Sequence, residues 1–599
     1  MGSHTLRFGG EWQHLDTYAL FDLYGSGSIF TTEDFAGDVC RAGSVSPALC
    51  DRNQDGIVND LDIPIALALQ SAAPTRPPVV PFYPNSYFGA FIQDDWKAKS
   101  NLTLNLGLRW EVDDVLGDAS NLHKCPTLTD PDNTCEFIEN VLGKHEGKDL
   151  KQFGPRLGFA WDPLKRGVTV VRGGYGIYFD RVVTEVPLLE ALLNGRILPL
   201  AAFGGSTCHN LFNPGGPAAD CSATPVPGSF QPVFDGTPGS PTTPTLTSPF
   251  TGGGSVFGIG INHIDNKAKH PYVQQFTLGL QQQVGQNWVV SADGIHNFGQ
   301  RFILGRLLRS TTSSSPDVTC TNGFDPCKVT DPLTGRPDVV TEIQSVARSW
   351  YDALLISLQK RPTGGPNLRW GFNVNYTLSK TFNYSNDDQI PFNGAEDAVN
   401  LIFRSNNLEL EKGYSPTDER HRLVLFGVVE LPWNLAISPI WTFSSHVPMD
   451  SSVPALNARL PILKRNALGR EISNGAELNN AIDVWNALPV CSGVNQIPCH
   501  AGPILGHADP NLHFGDNFNS LDLRVTKSWT VFGEQKFQFI GEVFNLFNIA
   551  NIRGFNNNNY SGFLNDITSP QFNKPLRTAG GFFGSGGPRA FQFALRYAF

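Results

Sequence analysis

The last segment of the chain, FQFALRYAF, alternates without a break: Phe591, Phe593, Leu595, Tyr597 and Phe599 share one parity, and Gln592, Ala594, Arg596 and Ala598 share the other. Successive side chains of a strand point to opposite faces, so this segment presents an aromatic stripe on one side and small or polar groups on the other. The same pattern recurs upstream. In NLTLNLGLRWE, Leu102, Leu104, Leu106, Leu108 and Trp110 oppose Asn101, Thr103, Asn105, Gly107, Arg109 and Glu111. In NLRWGFNVNYTLS, Leu368, Trp370, Phe372, Val374, Tyr376 and Leu378 oppose Asn367, Arg369, Gly371, Asn373, Asn375 and Thr377. Helical spacing accounts for neither run. Shorter examples are Leu157, Phe159 and Trp161; Phe276, Leu278 and Leu280; and Leu521, Leu523, Val525 and Trp529. Strands of a soluble sandwich alternate too, but they average about five or six residues. Here the runs reach about ten, the length a tilted strand needs to cross a hydrocarbon core. The pattern predicts an all-β fold, a transmembrane antiparallel β-barrel with lipid on one face and water on the other.

Punctuation between these runs gives about fifteen or sixteen strands, joined by connections that alternate in length. Short turns are predicted at Lys97–Asn101, Asp162–Val168, Arg361–Asn367, Leu431–Asn434 and Val531–Gln535; long excursions at Val112–Phe153, Arg181–His270, Gly305–Ser349, Phe382–Arg420, His446–Asn517 and Asn548–Pro588. An outer-membrane barrel has short periplasmic turns and long external loops, whereas a sandwich has no reason to sort loop length by end. Excursions of roughly forty to ninety residues far exceed the globular median and point to functional, partly self-structured loops.

Composition narrows the choice. Charged residues make up 17% of the 599-residue chain and Phe is plentiful at 42. The most hydrophobic window, Val186–Gly205, is interrupted by Glu190, Asn194 and Arg196, so a membrane is crossed by strands or not at all. A net charge of −10 without Lys/Arg clusters argues against nucleic acid as a partner. The start, MGSHTLRFGGEW, lacks the basic, apolar and cleavage regions of an export signal, so a longer precursor is expected. The ten cysteines fall into five local pairs: Cys40 with Cys50, Cys125 with Cys135, Cys208 with Cys221, Cys320 with Cys327, and Cys491 with Cys499. Each lies in a turn-rich stretch between strands and no Cys-x-x-Cys occurs, so disulfide staples on external loops are expected over metal ligation.

One motif carries site chemistry. DRNQDGIVNDLD has the spacing of a calcium loop. Asp51, Asn53 and Asp55 offer side-chain oxygens, Gly56 the sharp bend, Ile57 a backbone carbonyl, Asn59 a direct or water-mediated contact, and Asp62 the closing ligand. Asp rather than Glu at the last position makes it similar to a dockerin loop. Calcium is therefore the expected cofactor of an insertion at 51–62, whose rival is a solvated Asp/Asn turn. No nucleophile elbow, zincin helix or phosphate loop is present, and the histidines are scattered, so no enzyme activity is expected.

Several phrases then carry a resemblance: YFGAFIQDDWKAKSNLTLNLGLRWE (Tyr87–Glu111), FGPRLGFAWDP (Phe153–Pro163), GGYGIYFDR (Gly173–Arg181), DERHRLVLFGVVELP (Asp418–Pro432), GEVFNLFNIAN (Gly541–Asn551) and the terminal FQFALRYAF. In order along nearly the whole chain, 1–599, they resemble the barrel of TonB-dependent receptors of the Oar-like, carboxypeptidase-regulatory-domain-bearing group. The resemblance implies a Gram-negative outer-membrane barrel of about 22 strands around a plug. It also implies coupling to the TonB complex and uptake of a bulky, unidentified solute held by external loops. It places a plug, a TonB box and further strands ahead of Met1. Outer-membrane lipid would be the other partner, and Asn105, Arg109, Glu111, Arg156, Arg369, Asn373 and Asn375 would line the lumen. The alternative class is a surface adhesin or binding scaffold without transport.

Overall fold

In the computed structural model the described residues are 3–15, 85–116, 148–182, 261–308, 337–385, 407–453, 458–489, 504–531, 535–555, 572–580 and 585–599, with short pieces at 18–20, 28–31, 65–69, 79–81, 186, 201–204, 318–319, 328–330, 533 and 567. The wall consists of long strands β1 (His4–Leu15), β2 (Asn85–Lys99), β3 (Leu102–Asp113), β4 (Gln152–Trp161), β5 (Thr169–Phe179), β6 (Tyr272–Val284), β7 (Trp288–Leu307), β8 (Pro337–Gly365), β9 (Leu368–Asn383), β10 (His421–Leu431), β11 (Leu435–Ser444), β12 (Phe518–Thr530), β13 (Lys536–Phe544) and β14 (Ala590–Ala598). Each pairs antiparallel with the next in chain order, from β1 on β2 to β13 on β14. With shorter strands added, the sheet holds 18. Among the described residues no ladder joins β1 to β14.

Register decides which side chains meet lipid. Leu104 is opposite Trp96 and Phe159, Leu106 is opposite Leu157, and Leu157 is opposite Tyr175, so the apolar parity of each strand joins into one outer surface. Its members are exposed: Leu278, Leu157, Phe593 and Leu595 keep 63%, 52%, 68% and 68% of their area. An apolar surface of this extent lies bare only where lipid covers it. The terminal segment fits the same surface, with Phe593 on Gly541 and Leu595 on Phe539. The predicted alternation and its lipid face are therefore present.

The short turns fall where sequence placed them. At the β4–β5 turn, Asp162 accepts from the backbone N–H of Leu164 and Gly167 at 3.2 and 2.6 Å, and Lys165 and Gly167 take positive φ. The expected excursion Gly305–Ser349 is corrected: β7 runs on to Leu307 and β8, 29 residues long, starts at Pro337. Their ladder continues above a register shift at Gly299–Phe302 because Ile303 and Ile343 stop facing lipid there. They bury instead with Val115, Leu116, Val182, Val186, Ile264 and Ala268 in a small core at the external rim.

We predict that Leu157→Arg, which puts a charge at the middle of β4 on the outer face between Leu106 and Tyr175, destabilises the detergent-folded wall by about 2–4 kcal/mol in denaturant refolding. Asn105→Ala, on the inner face beside it, should shift the midpoint by less than a third as much.

Candidate functional site: inner wall and external platform

The inner parity carries cross-strand ion pairs. Arg109 on β3 binds Glu111 on its own strand, Tyr87 of β2 at 2.8 Å and Glu11 of β1, reaching over two strands. It can do so because Gly89 lies between Glu11 and Glu111 in register and has no side chain; a Cβ there would sit 3.0 Å from the Arg109 guanidinium. The same device recurs at Gly279. Arg172 of β5 and Asp293 of β7 flank it in register and join above it by paired contacts of 2.9 and 2.8 Å, in space where a Cβ would lie 2.0 Å from the carboxylate. Glycine thus clears the way for ion pairs that span two ladders, the one at Gly279 bidentate. Asp95 accepts from Asn105 at 2.7 Å, Arg156 stacks 4.7 Å over Tyr178, Arg369 meets Glu430 at 3.3 Å, and Asn375 accepts from Ser357 at 3.0 Å. Asn373 opposes Gln359 on the same face. All seven residues assigned to the lumen thus lie on the inner wall. Sequence gave their face but not their partners.

The external end carries a folded platform that the strand pattern missed. The β11–β12 connection contains helix α1, Gly475–Asn486, whose Leu478, Ile482 and Trp485 are fully buried. They pack with Met449, Val453, Leu460, Leu468, Leu505 and Phe514, and with Ile567 and Phe572 of the next connection. Its signal was present in the chain: Asn474 caps the Glu477 N–H at 3.0 Å, Glu477 returns a bond to the Ser473 N–H at 2.6 Å, and apolar residues follow at i, i+4 and i+7. Two buried ion pairs fix the platform to the rim. Arg470 meets Asp418 at 2.6 Å and Arg459 meets Glu411 at 3.0 Å, every side chain being at most 6% exposed. Asp418 also accepts from the Thr381 N–H at the top of β9, so one carboxylate ties platform, loop and wall together. The phrase FNLFNIAN closes the neighbouring loop, Asn545 and Asn551 donating to the carbonyls of Gly587 and Gly586 at 2.6 and 3.1 Å. Beside the platform, burial raises the Tyr384 and Tyr414 hydroxyls above the ordinary phenol range, and burial lowers the Arg553 guanidinium.

The residues expected to hold calcium, Asp51, Asn53, Asp55, Ile57, Asn59 and Asp62, lie outside the described residues. So do Cys40, Cys50, Cys125, Cys135, Cys208, Cys221, Cys320, Cys327, Cys491 and Cys499. Among the described residues no group of three or more His, Cys, Asp or Glu could hold a metal.

A membrane-facing antiparallel wall with short turns at one end and folded loops at the other defines an outer-membrane β-barrel protein. A family model described as outer membrane beta barrel domain matches residues 1–579, and the chain belongs to that family, in the outer membrane of a Gram-negative type of cell. It is 24% identical over 450 residues to the TonB-dependent transporter Oar of Myxococcus xanthus, an alignment covering 73% of this chain and 35% of that protein. The chain thus spans about a third of that relative's length. Among solved structures it is similar to the outer membrane transporter YddB from Escherichia coli (TM-score 0.43, 11% identity, 89% of this chain and 50% of that one). It is also similar to a ferric enterobactin receptor, PfeA, from Pseudomonas aeruginosa (TM-score 0.40, 10% identity, 99% and 54%).

At the rim, His270 is 1% exposed and its Nδ1 accepts from Gln152 at 2.9 Å, which leaves the proton on Nε2. Burial pulls the imidazole below its ordinary value of 6.5 despite Asp113, Asp149 and Asp114 nearby, with Arg181 acting in the same direction as burial. The folded ring stays neutral as pH falls through the value at which the unfolded ring protonates, so acid takes stability away. Amide protection across residues 261–272, taken relative to the intrinsic exchange rate at each pH, should fall below about pH 6.5, and His270→Gln should flatten that dependence; an unchanged profile in the variant would refute the assignment.

Proposed function

We propose that this chain is the barrel wall of a TonB-dependent outer-membrane transporter that imports a bulky solute captured by its external loops. The observation that carries the proposal is the division of labour along the wall. Charged residues are gathered into fixed pairs on the inner face, while the external end holds a platform with its own apolar core. A hydrated path needs the first and ligand capture needs the second. A scaffold serving only for display requires the platform but gives no role to an inner wall of braced arginines. The likeness to Oar supports the same reading, with the TonB complex as energy source and the solute unidentified.

Uptake is tested by comparing media depleted by cells with and without the gene, each in the presence and absence of TonB. The expected result is a solute removed only when both are present; adhesion that persists without TonB, with no solute removed, would overturn it.

We further propose, on the order of its oxygen donors, that 51–62 binds calcium within an external loop, and that the five cysteine pairs form disulfides in the several external loops that carry them. Calcium should raise the melting temperature, and Asp51→Ala with Asp55→Ala should abolish the rise. A protein indifferent to calcium would refute the site.

A further inference from the structure

Charge is scarce on the outer face, and where it occurs it deserves a reason. Among the described residues the outward rows carry charge toward the periplasmic ends, at Asp94 with His4, at Lys360 and at Lys527, and in one other place. There, three outward rows are stacked in register across β6 to β9. The uppermost is aromatic: Phe298, Trp350 and Phe382. One step below comes Phe276, His296, Asp352 and Lys380; the next holds Leu278, Gly294, Leu354 and Leu378.

Between the two lower rows runs a cavity of ≈ 740 Å³ lined by these side chains. It opens on the outer face, since the residues bordering it belong to the outward parity and the inward row contributes its floor. Gly294, without a side chain among the leucines, deepens it. Its walls are apolar along the leucine row and polar toward the external end.

The charges at that end are unequal. Asp352 is held by His296 at 2.6 Å and so is turned from Lys380, which it opposes in register. Among the described residues no carboxylate lies within ion-pair distance of Lys380. Its ammonium rises to the aromatic row, 4.4 Å from the Phe382 ring and 6.0 Å from that of Tyr414. Lys412, from the loop above, places a second ammonium 4.3 Å over Trp350, only loosely opposed by Glu409 at 3.8 Å. Aromatic rows mark the level where acyl chains meet headgroups, so two ammonium groups stand at headgroup height directly above an apolar trough.

We propose that this face is a binding site for a phosphorylated, multi-chain lipid of the outer leaflet, its phosphates on Lys380 and Lys412 and an acyl chain in the trough below. The protein is acidic overall, so the local positive charge is not an average of its surface. A zwitterionic lipid would fill the trough equally well but brings a single phosphate already balanced by its own cationic headgroup, too little for two ammonium groups. Each basic group near an anionic lipid surface contributes about a fivefold gain, so the pair should contribute about thirtyfold in affinity.

The test titrates the detergent-solubilised chain with diphosphorylated lipid A, with the same lipid after removal of both phosphates, and with phosphatidylethanolamine, reading bound lipid by native mass spectrometry. The phosphorylated form should be retained preferentially, and Lys380→Gln with Lys412→Gln should weaken it about thirtyfold, while Lys527→Gln at the opposite end leaves it unchanged. Heat-modifiable migration confirms that each variant is folded, and Lys380→Gln alone serves if the double variant is not. Equal retention of dephosphorylated lipid, or full affinity in the folded lysine variants, would overturn the proposal.

Discussion

A strand in hydrocarbon has no water to satisfy its N–H and C=O groups, so every one of them must be met by the strand beside it. The rest of this structure follows from that requirement. Each of β1 to β14 pairs with its sequence neighbour, which fixes parity across the wall and collects the apolar side chains on one surface. Folding of the wall is not the burial of a core: many of its large apolar residues stay exposed, and their solvent is lipid.

The same constraint gives the inner wall its chemistry. Charged residues on the inner face are neighbours by register, and the wall braces arginines such as Arg109, Arg172 and Arg369 against carboxylates there. Gly89 and Gly279 matter because removing a side chain between two strands lets an arginine reach a carboxylate two ladders away. Such pairs hold their charges in a defined geometry, which a passage or a seat for another segment requires. At the external end water returns, and burial resumes as an ordinary mechanism: the platform has an apolar core, a capped helix and ion pairs sealed from solvent. Asp418 connects the two regimes, since it accepts both from the β9 backbone and from Arg470 of the platform.

Several parts of this were legible in the chain, for a shared reason. Alternation in NLTLNLGLRWE and FQFALRYAF is a local, period-two property, and a wall between two solvents leaves it undisturbed by long-range packing. Turn positions were legible because Asp, Gly and Asn at those sites satisfy backbone groups within a few residues. The extension of β7 and β8 was not, because Ile303 and Ile343 bury against residues remote in sequence, so the membrane alternation gives out before the strands do. Helix α1 carries its cap and spacing in the sequence, but its twelve residues stand within a long turn-rich stretch that the membrane alternation marks as connection.

The sequence alone therefore determined the strand period, the lipid-facing parity, the residues of the inner wall and the family resemblance, all of which depend on which residue follows which. Only the tertiary structure decided the partners of Arg109 and Arg172, the platform's attachment through Asp418, and the trough beneath Lys380. Those depend on the stagger between neighbouring strands and on contacts between segments far apart along the chain, and no local pattern of polar and apolar residues encodes a distance of that kind.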